Sequence, residues 1–221
     1  MNASEGLRTA VMISGSGTNL QAIIDATSEG TLAIDLCGVI CDRPDAGGLN
    51  RAERAGIPTQ VVDYRDHKTR ARAEIALAEA IDAVEPDLVV LAGFMRILPD
   101  ELVARWEGRM LNIHPSLLPK YRGLNTYRRA LAAGERWHGS TVHYVIPALD
   151  AGPAIVQYRV AIRPDDTEKS LAGRVQQGEY RIYPMAIGWI ATGRLRLVNG
   201  EVIRDGVVLA EPIVVKEPEE V

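Results

Sequence analysis

The sequence predicts an α/β protein in which a doubly wound, mostly parallel sheet is followed by an antiparallel C-terminal portion. Short apolar runs alternate with helical periodicity as far as residue 114. The run at residues 88–92 is apolar throughout, as expected for a strand covered on both faces. After residue 114, two apolar runs are joined by a link too short for a crossover helix, which indicates an antiparallel pair. The pattern is therefore Rossmann-like in its first half.

The elements of this first half follow from apolar runs and the turn residues between them. The predicted strands are residues 7–13, 34–41, 58–62, 88–92 and 110–114. A helix is predicted after residue 19, because Leu20, Ile23 and Ile24 recur at helical spacing. Further helices are predicted at residues 49–55, 68–84 and 99–106, and Pro86 stops the second of these three.

The second half is expected to be less regular. Strands at residues 140–146 and 153–162 form the antiparallel pair. A helix at residues 166–192 is capped by Asp166 or Thr167, and Pro184 should kink or interrupt it. Residues 195–214 suggest a hairpin with its turn at residues 198–201. With no linker or repeat, we expect one domain over residues 1–221: a core at about 7–195, then a terminal hairpin and tail at 196–221.

Composition limits the possible locations and partners. The 221 residues are 47% hydrophobic, carry a net charge of −4, and contain no apolar run near the roughly 20 residues of a membrane span. The N-terminus lacks the regions of a signal peptide. Cys37 and Cys41 share one predicted strand, about 13 Å apart, too far for a disulfide. We expect reduced thiols, a cytoplasmic location, no membrane partner and no nucleic-acid partner; a small phosphorylated ligand stays open.

A glycine-rich turn connects the first strand to the first helix. Residues 14–19 read Ser-Gly-Ser-Gly-Thr-Asn, and the backbone N–H groups of Gly17, Thr18 and Asn19 could hold one phosphate at a helix N-terminus. A purely structural turn is the simpler alternative. A dinucleotide site is a third, since Asp42 could bind a ribose, although Leu20 stands where that fingerprint has its third glycine.

A possible catalytic group lies at the end of the fifth strand. Asn112 and His114 share one side of that strand, and Pro115 ends its hydrogen bonding. His114 can exchange protons near neutral pH, and Asn112 can donate an N–H to a developing oxyanion. Asp150, in the loop between the antiparallel strands, could orient the imidazole and stabilise its protonated form. Without a nucleophile elbow, the set favours transfer between two bound substrates.

The remaining histidines do not suggest a metal site. His67, His138 and His143 lack metal-binding spacing relative to each other and to His114, so no metal is predicted. We expect His67 and His138 at the surface. For His143, a partner of the catalytic residues and an ordinary strand residue are equally open.

Residues 112–119, Asn-Ile-His-Pro-Ser-Leu-Leu-Pro, resemble the signature of the folate-dependent formyltransferase family. Together with residues 14–23 and 91–98, they make the chain similar to the purine-synthesis members of that family over about residues 8–195. The resemblance implies that the formyl group of 10-formyltetrahydrofolate passes to the amine of glycinamide ribotide. It implies small-molecule partners only. Whether the chain is a monomer or a homodimer stays open.

The resemblance also implies roles for individual residues. Catalysis would fall to Asn112, His114 and Asp150, and ribotide binding to Gly17, Thr18, Asn19 and Glu179. Folate binding would fall to Arg70, Met95, Arg96, Ile97, Leu98, Asn112, Ile146 and Asp150. Read without the resemblance, Arg70 is a solvated helix residue and Glu179 an exposed helix acid. The nearest rival enzyme is a formyltetrahydrofolate hydrolase, and a rival of another class is an NAD-binding module.

Overall fold

The computed structural model describes residues 6–218 and has two compact units, divided between Leu111 and Asn112. Residues 219–221 of the predicted tail, like residues 1–5, lie outside the described part. Among the helices of residues 6–218, none has both the length and the apolar character needed to cross a bilayer. The predicted α/β class, with a mostly parallel sheet and an antiparallel portion, is confirmed.

The first unit is a parallel βα arrangement. Its elements are β1 (Leu7–Ile13), α1 (Thr18–Ser28), β2 (Ile34–Cys41), α2 (Gly47–Arg54), β3 (Thr59–Val61), a 3₁₀ turn (Tyr64–Asp66), α3 (Arg70–Asp82), β4 (Leu88–Leu91) and α4 (Asp100–Arg105). Its strands lie in the order β4-β1-β2-β3, and all three pairings are parallel. The loops after β1, β2 and β4 therefore all leave the sheet at the carboxyl ends of its strands, where such sheets bind ligands.

Local sequence explains these helices and strands. All four residues of β4 are buried, as its continuous apolar run requires. Leu20, Ile23 and Ile24 form the buried stripe of α1. Helix α3 begins two residues later than predicted because the Thr69 side chain accepts a hydrogen bond from the Arg72 N–H and acts as its N-cap.

The second unit combines a mixed sheet with a long helix. Strand β5 (Met110–His114) begins in the first unit and ends in the second. It is followed by α5 (Thr126–Ala132), β6 (Trp137–Tyr144), β7 (Ala154–Ala161), α6 (Glu168–Ala191), β8 (Leu195–Val198), β9 (Glu201–Arg204), β10 (Val207–Val208) and β11 (Ile213–Lys216). The β6–β7 pair is antiparallel, as predicted, and β11 runs parallel to β7.

Helix α6 packs on β6 and β7 and is continuous through Pro184. The predicted interruption is therefore wrong; the buried face on both sides of the proline maintains the helix despite one missing N–H. Thr167 and Ser170 cap its start reciprocally, which confirms one of the two predicted caps. Gly178 lies where a Cβ would be 1.8 Å from Cδ1 of Tyr158, so a glycine inside this helix has a packing reason.

Two expectations for the second unit need correction. The strand predicted at residues 140–146 spans Trp137–Tyr144, so Ile146 lies in the following loop. The hairpin predicted at residues 195–214 is real for β8 and β9, with its turn at Asn199 and Gly200. Strand β10 extends it to three strands, however, and β11 belongs to the other sheet.

Candidate active site

His114 ends β5 with its side chain almost entirely buried. Its Nε2 is 3.0 Å from the carbonyl oxygen of Tyr121. A carbonyl only accepts hydrogen bonds, so this nitrogen carries a proton. The other nitrogen, Nδ1, faces Asp150, whose Oδ2 is 3.4 Å away. The predicted approach of Asp150 to His114 is therefore present in the structure.

Two unusual backbone conformations shape this contact. Tyr121 has a φ of 56° and Asp150 a φ of 47°, both in the left-handed region. Tyr121 is held there as its hydroxyl donates to Glu135 Oε1 at 2.9 Å. Asp150 is held as the Gly123 N–H donates to its Oδ2, also at 2.9 Å. Both loops thus carry local backbone strain beside the imidazole, as functional sites often do.

A buried polar network secures the loop that follows His114. The Thr141 hydroxyl donates to the Ser116 carbonyl at 2.7 Å and accepts from the Leu118 N–H at 3.1 Å. The Gln157 amide donates to the Leu118 carbonyl at 2.8 Å. Because Thr141 lies on β6 and Gln157 on β7, these bonds fix the loop to the β6–β7 pair. Asp150 lies in the turn that joins the same two strands.

Asn112 contacts a second histidine. Its Nδ2 is 3.1 Å from Nε2 of His143, and Nδ1 of His143 is 2.9 Å from the Tyr144 carbonyl oxygen. The same Nε2 is 4.0 Å from Asp150 Oδ1. Burial lowers the pKa of His143, which favours the neutral ring. Of the two open interpretations, the structure favours the first, because His143 contacts Asn112, one of the predicted catalytic residues.

His138 was expected at the surface, and the structure contradicts this. Strand β6 begins earlier than predicted and places His138 in the interior, 1% exposed. Its ring packs edge-on against Tyr121 and Tyr127. Burial lowers its pKa to about 4, so the ring is neutral at physiological pH.

In the first unit, the glycine loop is tightly packed against the start of α2. Gly17 has a φ of 68°, and a Cβ there would be 2.6 Å from the Gly48 Cα. The Gly48 N–H donates to the Gly15 carbonyl at 3.0 Å, and Nε of Arg51 donates to the Ser16 carbonyl at 2.8 Å. Thr18 and Asn19 begin α1, at the end of the helix that carries a partial positive charge.

The segment at residues 93–98 is hydrogen-bonded to this loop through one serine. The Ser14 N–H donates to the Gly93 carbonyl at 3.2 Å, and the Met95 N–H donates to Ser14 Oγ at 2.9 Å. Met95 and Ile97 are 74% and 61% exposed, whereas Leu98 is buried. The backbone of this segment is thus held while two apolar side chains face solvent.

Two arginines anchor the same segment. Nε of Arg96 donates to Asp42 Oδ2 at 2.5 Å, and its guanidinium stacks 3.8 Å from the Tyr64 ring centroid. Arg70, paired with Glu74, donates to the Ile97 carbonyl at 3.3 Å. Asp42 is 3% exposed and engaged with Arg96, so it does not present a carboxylate to a ribose as the dinucleotide alternative requires.

Two predicted binding residues lie in the second unit. Glu179 is on the buried face of α6, only 7% exposed, so the interpretation as an exposed helix acid is wrong. Ile146 is half-buried in the loop that leads to Asp150. Within residues 6–218, no three His, Cys, Asp or Glu side chains are grouped to hold a metal ion.

Sequence reasoning missed the groups that hold the predicted catalytic residues and the loop after β5 in place. Tyr121 and Gly123 act through backbone atoms, and no residue type signals such a role. Thr141 and Gln157 read as ordinary strand residues. One signal was available in the sequence: Thr141 and Gln157 are paired across β6 and β7, so their side chains point to the same face of the sheet, the face that receives the loop after β5.

Known proteins resemble this chain in sequence and in fold. A family model described as formyl transferase matches residues 7–187. The chain is 44% identical to the phosphoribosylglycinamide formyltransferase of Haemophilus influenzae over 91% of this chain and 95% of that protein. It is 45% identical to the Escherichia coli protein of the same name over 90% and 94%. The phosphoribosylglycinamide formyltransferase of Coxiella burnetii, solved with CHES, matches with a TM-score of 0.91 and 51% identity over 95% of this chain and 99% of that one.

Proposed function

The chain belongs to the formyl transferase family, and we propose that it moves the formyl group of 10-formyltetrahydrofolate to the amine of 5′-phosphoribosylglycinamide. The products are formylglycinamide ribotide and tetrahydrofolate, in purine biosynthesis. The arrangement of His114, Asp150 and Asn112 carries this proposal: a histidine with one nitrogen committed to a carbonyl, the other facing a carboxylate, and an amide nearby.

The reaction needs a site for negative charge and a route for one proton. The neutral amine of the ribotide attacks the formyl carbon, and the C=O electron pair moves to the oxygen. The C–N bond to the folate then breaks as the carbonyl re-forms. One proton passes from the attacking nitrogen to the departing folate nitrogen, so that atoms and charge balance.

His114 has one nitrogen available for this chemistry. Since Nε2 donates to the Tyr121 carbonyl, we assign proton transfer to Nδ1. Its 3.4 Å separation from Asp150 Oδ2 is longer than a typical N–H···O hydrogen bond, so Nδ1 is not committed to Asp150 and can direct a proton to a substrate oxygen. With Nδ1 protonated, Asp150 stabilises the imidazolium while the N–H approaches the developing oxyanion.

Asn112 supplies the second donor in this proposal. Its Nδ2 uses one hydrogen toward His143, and the other can donate to the formyl oxygen. The residue is half-buried, so this second hydrogen is accessible to a substrate. Donors that stabilise an oxyanion typically contribute about 10²- to 10³-fold in rate.

We assign the ribotide phosphate to the backbone N–H groups of Gly17, Thr18 and Asn19, and the ribose to Glu179. The left-handed Gly17 and its close packing on Gly48 support the first assignment, because they fix the start of α1. The second assignment follows from the resemblance to the formyl transferase family, in which Glu179 takes the place of a ribose-binding glutamate.

We assign the folate to backbone groups of Met95, Arg96, Ile97 and Leu98, with Arg70, Ile146, Asn112 and Asp150. The anchoring of residues 95–97 by Ser14, Asp42 and Arg70 supports this, because a backbone that reads a ring edge must be rigid. We further propose a cytoplasmic enzyme, supported by the free thiols of Cys37 and Cys41.

An absorbance assay for tetrahydrofolate release, with and without glycinamide ribotide, tests the function. Release that depends on the ribotide is expected. Release at the same rate without ribotide would identify the rival hydrolase, in which water is the acceptor.

The site residues have a separate test. His114→Ala and Asp150→Asn should each lower turnover by at least about 10²-fold, while calorimetry still detects ribotide binding. His67→Ala, outside the site, is the control and should match the wild type. Turnover close to wild type in either site variant would contradict the assigned role.

A further inference from the structure

We infer that His143 is a positioning residue, which acts by fixing the orientation of the Asn112 amide. The inference rests on the proposed formyl transfer and extends it by one residue. It is carried by the chain of polar contacts from the Tyr144 carbonyl through the His143 ring to Asn112.

The chain of contacts has a defined direction. The Tyr144 carbonyl can only accept, so Nδ1 of His143 bears the proton, and in the neutral ring Nε2 is an acceptor. Asn112 must therefore turn its NH₂ group, and not its carbonyl oxygen, toward His143 at 3.1 Å. One amide hydrogen is consumed, and the second is held in a fixed direction for a substrate oxygen.

The surroundings keep this arrangement in place. His143 is 2% exposed, so its ring cannot exchange partners with water. Gly152 leaves room for the accepting carbonyl, because a Cβ there would be 1.8 Å from the Tyr144 oxygen. Burial lowers the pKa of His143, and the hydrogen bond to the Tyr144 carbonyl and the nearby Asp150 oppose this to a smaller extent. The neutral ring is thus the form that the interior favours.

A competing arrangement exists and makes the inference testable. A doubly protonated His143 would donate from Nε2, and Asn112 would turn its Oδ1 toward it. Both amide hydrogens would then point elsewhere, and the oxyanion donor would lie in a different place.

Two substitutions at His143 test the roles of its two ring nitrogens separately. His143→Gln can retain an acceptor near the Nε2 position, whereas His143→Asn can retain only the donor to Tyr144. We expect kcat of His143→Asn to fall by about 10- to 100-fold, with the ribotide KM within about twofold of wild type. His143→Gln should recover most of kcat. Equal kcat in His143→Asn and wild type, or equal losses in both variants, would overturn the inference.

A double-mutant cycle isolates the action through Asn112. In an Asn112→Ala background, His143→Asn should change kcat by less than about twofold, because the group it positions is already gone. A full additional loss would instead show a separate role and refute the inference. A wild-type protein that transfers no formyl group would refute the proposed function, and would not by itself refute the positioning of Asn112 by His143.

The tautomer provides a readout that does not depend on activity. In ¹⁵N-histidine NMR of the wild type at pH 7, His143 should carry its proton on Nδ1 only, and His114 should carry one on Nε2. A proton on Nε2 of His143 would overturn the inference even if the variants lose activity.

Discussion

Two glycines on α6 should respond to the same substitution with opposite signs. At Gly178, a Cβ would lie 1.8 Å from Cδ1 of the buried Tyr158, so Gly178→Ala forces the helix and β7 apart. Such overpacking costs up to about 3 kcal/mol, and the better helix propensity of alanine returns about 1 kcal/mol. The net loss of about 2 kcal/mol should lower Tm by about 4–8 °C in a chain of this length.

Gly173 is the matched control, because it lies on the same helix and a Cβ there would meet nothing within 4 Å. Gly173→Ala should gain up to about 1 kcal/mol and raise Tm by about 2–4 °C. Thermal unfolding followed by circular dichroism measures both. If Gly178→Ala raises Tm as Gly173→Ala does, the contact with Tyr158 is not what requires glycine at this position.

Two further predictions concern a loop contact and a pH dependence. Ser14→Ala leaves the Met95 N–H without its partner and should raise the KM of both substrates more than it changes kcat. Ser28→Ala, at an exposed position, is the control. A change in only one KM would contradict a role of Ser14 in binding both substrates. The pKa of His138 is about 4 in the folded chain and about 6.5 in the unfolded chain. Between these pH values the unfolded chain binds one more proton than the folded chain, so the free energy of unfolding falls as pH drops through this window. His138→Gln should flatten that fall in denaturant unfolding at pH 6.5, 5.5 and 4.5, whereas parallel curves for variant and wild type would contradict it.

The strands of the first unit were predictable because their signal is local. The continuous apolar run of β4 and the stripe of α1 each lie within one short segment. Failures occurred where a distant contact outweighed the local signal. A kink or an interruption was expected at Pro184, and the interruption is absent because the packing of α6 on two strands maintains the helix.

The candidate site shows the same division. The chemistry of the residue types made it possible to predict a site of Asn112, His114 and Asp150. In the structure, Nδ1 of His114 lies 3.4 Å from Oδ2 of Asp150. His138 was misplaced because a strand start moved by three residues, which changes an expected surface position into a core position. Glu179 was ambiguous from sequence because an acid on a helix is usually exposed.

The sequence could not predict which nitrogen of His114 the proposed proton transfer uses. A backbone carbonyl fixes a proton on a different nitrogen in each ring: the Tyr121 carbonyl on Nε2 of His114, and the Tyr144 carbonyl on Nδ1 of His143. Every residue has such a carbonyl, so no pattern of residue types marks the two that matter. What places the Tyr121 carbonyl is a left-handed backbone at a residue that rarely adopts one. A sequence can thus name the proposed proton carrier, while loop conformation determines which of its nitrogens faces Asp150.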